Sequence, residues 1–225
     1  MTPNNIAGMA ALAGLNIVAL TDHNTCKNCP AFFAAAKRQG IIPVAGMELT
    51  TAEDIHVVCL FEELEDALAF GNAVDGYRIR IPNRTDIFGD QLVVDENDEV
   101  TGSEADLLSN ATMLMLDDVP PLVELHRGIC FPAHVDRESN GIIATLGTFP
   151  PFPAFSIAEF HNGEQIGAYE EKHPQLRTMK KLIGSDAHYL WDIRDKEHFF
   201  ELADEPYSTD YVRHQLFRAL KGETE

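Results

Sequence analysis

Five short segments of this chain place metal-binding or acid–base side chains at the ends of apolar runs. Thr21-Asp22-His23-Asn24 follows Ile17 to Leu20, Gly46-Met47-Glu48-Leu49-Thr50 follows Ile41 to Ala45, and Pro132-Ala133-His134 follows Ile129 to Phe131. Gly184-Ser185-Asp186-Ala187-His188 follows Leu182-Ile183, whereas His56 opens its run, before Val57 to Phe61. Parallel strands that feed a common rim gather such residues into one pocket although they lie far apart in sequence. Histidine, aspartate and glutamate together are the ligand set of Zn, Mn or Fe. Asp186 and His188 are two residues apart, so on an extended segment both point to the same side.

Taken singly, each segment has an ordinary structural alternative. Asp22-His23 can be a helix cap beside a surface histidine, Glu48 a salt-bridged or capping carboxylate, and His56 a hydrogen-bonded core histidine. A carboxylate after an apolar run is costly unless it meets a partner or a cation. It is the joint occurrence of these residues in one chain that favours a shared site. Glu159, at the end of the run Phe155 to Phe160, is placed to orient a ligand or a substrate hydroxyl. Cys26-Lys27-Asn28-Cys29 has no second pair at zinc-ribbon spacing and reads as two loop thiols near the pocket rim.

The elements that must carry these residues alternate. Thr2-Pro3 opens a helix with Ile6, Met9, Ala10 and Ala13 at helical spacing. Strand Ile17 to Leu20, helix Pro30 to Gln39, strands Ile41 to Glu48 and His56 to Phe61, and helix Glu62 to Tyr77 follow, as in a parallel α/β fold. The alternation pauses over 84–119. There Gln91 to Val94 and Glu99 to Thr101 flank Asp95 to Asp98 as a hairpin, and Glu104 to Leu116 reads as a helix. This segment reads as an insertion over the mouth of a single domain spanning 1–225. Helix Pro121 to Arg127, strands Ile129 to Ala133 and Phe155 to Phe160, helix Pro174 to Lys180 and strand Lys181 to Ser185 complete the pattern. Ser208 or Thr209 then caps a last helix with Val212, Leu216, Phe217 and Leu220 on one face.

Length and composition fit one soluble α/β domain: 225 residues, 45% hydrophobic. The formal net charge of −19 is unusual. It argues against binding of long nucleic acid, while a small anionic substrate stays compatible if divalent cations reverse the local sign. No run is long enough to span a bilayer, there is no signal peptide, and four cysteines make no disulfide framework. The expected setting is therefore the cytoplasm, with no membrane partner. Oligomeric state is not readable from the sequence.

On these segments the chain resembles the PHP (polymerase and histidinol phosphatase) family of metal-dependent phosphoesterases. Thr-Asp-His-Asn at 21–24, Gly-Met-Glu-Leu-Thr at 46–50, His56, Pro-Ala-His at 132–134 and Gly-Ser-Asp-Ala-His at 184–188 look like the family's successive motifs. The resemblance implies a distorted (β/α)7 TIM-like barrel with two or three divalent metal ions (Zn, Mn or Fe) at its rim. It implies that Glu48 bridges two metals, that His56 and His134 complete one, that Asp186 serves the second, and that His23 with His188 serves the third. Asp22 either binds metal or orients His23. Asp22 and His188 are the candidates for catalysis, and Arg137, Arg84 and Glu159 those for substrate contact. The family's opening His-x-His strand has no counterpart before Pro3, so the expected barrel lacks its first strand and the sequence reads as truncated at its N-terminus. The expected activity is hydrolysis of a small phosphorylated substrate. The alternatives are a catalytically inactive metal-binding or regulatory module and a C–N-cleaving amidohydrolase. The Gly-Ser-Asp-Ala-His ending and the lack of a lysine for a bridging carbamate weigh against the last.

Overall fold

The computed structural model describes residues 1–223, which form a mixed α/β fold. Helix α1 (Pro3–Leu12) leads into β1 (Ile17–Leu20), α2 (Cys29–Arg38), β2 (Ile42–Thr50), β3 (His56–Phe61) and α3 (Leu64–Asp75). Pro3 sits at the first helical position, where its missing N–H costs nothing. Thr2 makes no side-chain cap; its hydroxyl instead donates to Asp98 (2.6 Å).

Strand β1 pairs in parallel with β2, but β3 runs antiparallel to β2 and to β6 (Ile129–Pro132). The expectation of uninterrupted parallel strands fails here for a reason of length. Residues 51–55 join β2 to β3, and a parallel crossover needs a dozen or more. They form a tight turn in which Thr51 N donates to Ile55 O (2.9 Å) and Ile55 N to Thr51 Oγ1 (3.2 Å). The reversal brings His56, which begins its strand, to the same rim as the residues that end β1, β2 and β6.

Beyond β3 the chain forms α4 (Thr85–Phe88), the hairpin β4 (Leu92–Val94) and β5 (Val100–Ser103), and α5 (Val119–Leu125). The helix expected over Glu104 to Leu116 does not form. The segment makes long-range contacts within the chain instead: Leu107 N donates to Ile81 O (2.8 Å), and Thr112 N and Oγ1 both donate to Thr50 O (3.0 and 2.8 Å). Local helix propensity is weak enough for such tertiary bonds to override it.

After β6 come α6 (Ile142–Leu146), β7 (Ile157–Phe160), α7 (Ile166–Lys172), β8 (Lys180–Ile183) and α8 (Thr209–Lys221). The segment expected as a helix from Pro174 is a 3-10 turn over Pro174–Thr178. Strands β7 and β8 pair in parallel. Val135 N donates to Glu159 O (2.8 Å) just past the end of β6, which brings β7 alongside it. Among the described residues the strands hydrogen-bond as three sheets, β1-β2-β3-β6, β4-β5 and β7-β8. No helix among the described residues is long and apolar enough to cross a membrane.

Alternation along the strands sorts the side chains. Ala45, Met47 and Leu49 of β2 and Val57, Cys59 and Phe61 of β3 join the main core, which includes residues of the flanking helices. Val44, Val58, Leu60 and Phe131 form a second cluster with Leu216, Phe217 and Leu220 of α8. Each of these three α8 side chains contributes about 1.5–3 kcal/mol by burial. Helix α8 begins as expected, with Ser208 Oγ accepting from Tyr211 N (3.0 Å). By the two-residue period, Glu48 shares the face of Val44, and His56 shares that of Val58 and Leu60. The chemistry thus lies beyond one end of the second apolar cluster, on the face that α8 covers lower down.

Gly46 is what lets these strands lie so close. A Cβ there would meet Cys59 O at 2.8 Å, Leu60 Cδ2 at 2.8 Å and Thr21 Cγ2 at 2.9 Å. Gly46→Ala is expected to lower unfolding free energy by about 1–3 kcal/mol through overpacking against backbone. Chemical denaturation of the two proteins checks this, and an unchanged midpoint would contradict it.

Candidate metal centre

Glu48 lies two residues before the end of β2, a strand buried along its whole length, and is 6% exposed. Its Oε1 lies 2.9 Å from His56 Nδ1 and 3.3 Å from His134 Nε2, and its Oε2 lies 3.6 Å from His23 Nδ1. One ligand atom from each of His23, Glu48 and His56 lies within 4.8 Å of the others. The imidazoles form a row along the rim, with ring centroids 5.6 Å apart for His188 and His23, 5.1 Å for His23 and His56, and 5.3 Å for His56 and His134.

Backbone geometry holds this row. His23 and Glu48 form a parallel bridge, with Glu48 N donating to Asp22 O (3.2 Å) and Asn24 N to Glu48 O (3.0 Å). Asn24, which the sequence offered only as part of a motif, pins the rim from below. Its Oδ1 accepts from Thr50 N (2.9 Å), and its Nδ2 donates to Leu108 O (2.7 Å) and Asn110 O (2.9 Å). Asp136 likewise secures the β7 end by accepting from His161 N and Asn162 N, both at 2.7 Å. Its position two residues after His134 was the available signal. Asn24, His134 and Asp186 all have positive φ (51°, 28° and 48°), a conformation costly for residues other than glycine and often retained at functional sites.

The electrostatics follow from burial and pairing. Burial alone would raise the Glu48 carboxyl; hydrogen bonds from His134 and His56, with the charge of His23, outweigh it and hold the group well below the usual carboxylate range. For His134, burial disfavours the cation, but the bond to Glu48 and its charge carry the balance upward. His23 makes no hydrogen bond to Glu48, and there burial prevails and lowers its pKa. Burial also pushes Glu159 up to about 7. The Glu159 carboxylate accepts from His134 N (3.3 Å) and lies directly against Gly184, at a spot where a Cβ would clash with it.

The residues present fit a divalent cation. His56 Nδ1 and His134 Nε2 face each other at 3.2 Å over the same carboxylate oxygen, and His188 Nε2 faces His23 Nε2 at 3.4 Å. Neutral imidazole offers one donor and one acceptor nitrogen, so such clusters hold more lone pairs than protons to fill them. His23 Nδ1 and His134 Nδ1 are also buried without a hydrogen-bond partner. A cation relieves this excess of acceptors; carboxylate and imidazole suit Zn, Mn and Fe alike.

The other candidate residues fall into four places. Asp186 pairs with Arg137 at the rim, and His188 Nδ1 lies 3.0 Å from Asp186 O. Asp22 turns away from the imidazole row toward Asn28 (3.2 Å), where burial raises its pKa, partly offset by that hydrogen bond. Arg84 is exposed in the 84–119 segment and pairs with Asp86 (2.7 Å); among the described contacts none joins it to the cluster. Cys26 and Cys29 are buried behind β2, with Sγ 3.3 and 3.7 Å from Gly46 O, so the expectation of rim thiols is corrected.

The family model described as PHP domain matches residues 1–111. No curated protein matches the chain. Among solved structures, a lesion-specific endonuclease from Pyrococcus furiosus is similar over 100% of this chain and 52% of its own, with TM-score 0.63 and 18% identity. A protein from Bifidobacterium adolescentis described as a metal-dependent phosphoesterase is similar over 96% and 91%, with TM-score 0.57 and 16% identity. Endonuclease Q in complex with a 27-mer duplex carrying an abasic lesion is similar over 100% and 52%, with TM-score 0.59 and 17% identity. The chain thus spans about half the length of the endonuclease structures it resembles. The endonuclease complex overturns the exclusion of long nucleic acid drawn from net charge. A protein of similar fold holds duplex DNA, and a summed charge says little about the field at one rim.

Glu159 supplies a pH test. Its raised pKa means that the folded state binds this proton more tightly than the unfolded chain, whose carboxyl titrates near 4.5. Ionisation of Glu159 therefore costs stability as pH rises from about 4.5 to about 7, and the cost is constant above that. In chelator-treated protein, Glu159→Gln is expected to be more stable than the parent at about pH 8, by at most about 3 kcal/mol, and to lose that advantage at about pH 4. Denaturation curves at the two pH values check this; an advantage independent of pH would contradict it.

Proposed function

Residues 1–111 belong to the PHP domain family, and from that premise we propose that the chain is a metal-dependent hydrolase of phosphate esters. The observation that carries the proposal is the convergence of His23, His56 and His134 on the buried carboxylate of Glu48. In this reading the chain is one domain over 1–225, with 84–119 inserted, and its strands follow a distorted, TIM-like barrel course. Glu48, His23, His56 and His134 would hold the cations, together with His188 beside His23 and Asp186 at the same rim. Two or three Zn, Mn or Fe ions are accommodated by this donor set.

The chemistry supplied there by divalent ions would be Lewis acidity toward a phosphoryl oxygen and a nucleophile available at neutral pH. The chain's own groups do the rest. Glu48 and the imidazoles fix the position of the charge, and Asn24 fixes the position of Glu48. Arg137 is a guanidinium at the rim, with the planar donor set suited to phosphoryl oxygens. Glu159 lies under His134 with a pKa near neutrality, the range in which a carboxyl can hold or release a proton during turnover. Asp22, turned toward Asn28, orients the His23 segment through its backbone rather than touching the cluster.

A second reading, a metal-binding module without turnover, is favoured by one observation: the Asp186 carboxylate is already engaged by Arg137. Metal analysis with assays on a panel of phosphate esters separates the two. The hydrolase reading expects stoichiometric metal, a rise in Tm on metal addition, and ester hydrolysis lost on chelation. Glu48→Gln, which keeps the shape but removes the charge, is expected to lose both metal and turnover while keeping its circular dichroism spectrum. Metal retention with no hydrolysis of any ester in the parent would favour the second reading and overturn the first.

A further inference from the structure

Directly after His188 the chain makes a 3-10 turn, Leu190–Asp192, that presents two aromatic rings outward. Tyr189 and Trp191 are 58% and 77% exposed, and their rings stack with centroids 4.9 Å apart and planes within 3°. Large exposed aromatics side by side are uncommon on a soluble surface, and they mark interaction sites. This pair is held in place from both sides. Leu190 and Ile193 pack against the main core. Tyr189 N donates to Asp192 Oδ2 and Asp192 N to Tyr189 O, both at 3.0 Å. The half-buried neighbours thus anchor the turn, and Tyr189 and Trp191 are left facing solvent.

The position of the pair indicates what it meets. Trp191 is three residues from His188, so the backbone separating them spans at most about 11 Å. His188 Nε2 is 3.4 Å from His23 Nε2 in the imidazole row. The same rim carries two guanidinium groups, Arg137 on Asp186 and Arg194 on His161 (2.7 Å to the carbonyl oxygen). A ligand that reaches from the imidazole row to the rings therefore carries an anionic group at one end and a flat ring at the other.

We propose that Tyr189 and Trp191 form a stacking platform for the nucleobase of a nucleotide-bearing phosphate ester whose phosphoryl group lies at the metal centre. The proposal takes the phosphoesterase reading as its premise and names the substrate class. Every base has a π face, so such a platform selects for a nucleobase without reading its identity. A sugar phosphate or glycerol phosphate offers the same anion and no ring.

Trp191 is the single tryptophan of the chain, so its fluorescence reports directly on the platform. Titration of the zinc-loaded full chain with adenosine monophosphate is expected to quench it saturably. Ribose phosphate is expected to bind about 5- to 150-fold more weakly and to quench little, the ratio that corresponds to the usual contribution of one base stack. In turnover assays, Trp191→Leu is expected to raise KM for adenosine monophosphate about 5- to 150-fold more than for glycerol phosphate, and Trp191→Phe to restore most of the difference. Absence of saturable quenching by adenosine monophosphate, or equal KM changes for both esters, would overturn the platform. Saturable quenching without hydrolysis of any ester in the panel would support the platform and overturn the hydrolase premise instead, so the two failures are distinguishable.

Discussion

A carboxylate taken out of water at the end of a buried strand must find positive charge or give up its own, because desolvating an isolated ion costs far more than a domain's net stability. Glu48 is in that position, and the rim is arranged to answer it. The tight approach at Gly46 seats β2 between β1 and β3, the bridge to His23 fixes the height of the carboxylate, and His56 and His134 reach it from the next two strands. Asn24 then ties the end of β2 to the backbone of Leu108 and Asn110 through three hydrogen bonds. An interior that only needed packing would place an apolar side chain there. The retained charge is intelligible as half of a cation site.

The same rim concentrates unfavourable backbone. Asn24, His134 and Asp186 adopt positive φ beside the pocket, and each is held by surrounding hydrogen bonds or by a neighbouring strand. Strain of this kind persists where the structure around it over-determines the conformation, and it serves to aim side chains that regular strands would point elsewhere. The left-handed turn at His134 comes two residues after the strand's last residue, Pro132, and the imidazole lies against Glu48, where it is 3% exposed.

Charge summed over a chain and potential at a site are different quantities. The net charge of −19 is spread over the whole surface, and fields in solution fade over roughly 8–10 Å. At the rim the arginines 137 and 194 and a cation cluster would dominate what an incoming phosphate meets. A protein of similar fold holding duplex DNA is consistent with this local picture. The exclusion drawn from total charge had no such spatial content.

What the sequence determined by itself was a set of candidate residues, most of which stand where an apolar run ends and a buried polar group needs a reason. It also determined most elements, including α8 with its cap and apolar face, through periodicity that tertiary contacts do not overturn. The reversal of β3 ran against the expected parallel order, although residues 51–55 are too few for a parallel crossover. Only the tertiary structure decided which candidates meet. It turned Asp22 toward Asn28, left Arg84 with Asp86, buried Cys26 and Cys29 behind β2, and drew the segment from Glu104 to Leu116 out of a helix into contact with Thr50 and Ile81. The physical reason is common to all of these. A side chain's direction, and the partner of a backbone amide, depend on strands far away in sequence, and local propensities of a few tenths of a kcal/mol are too small to fix them against a network of long-range hydrogen bonds.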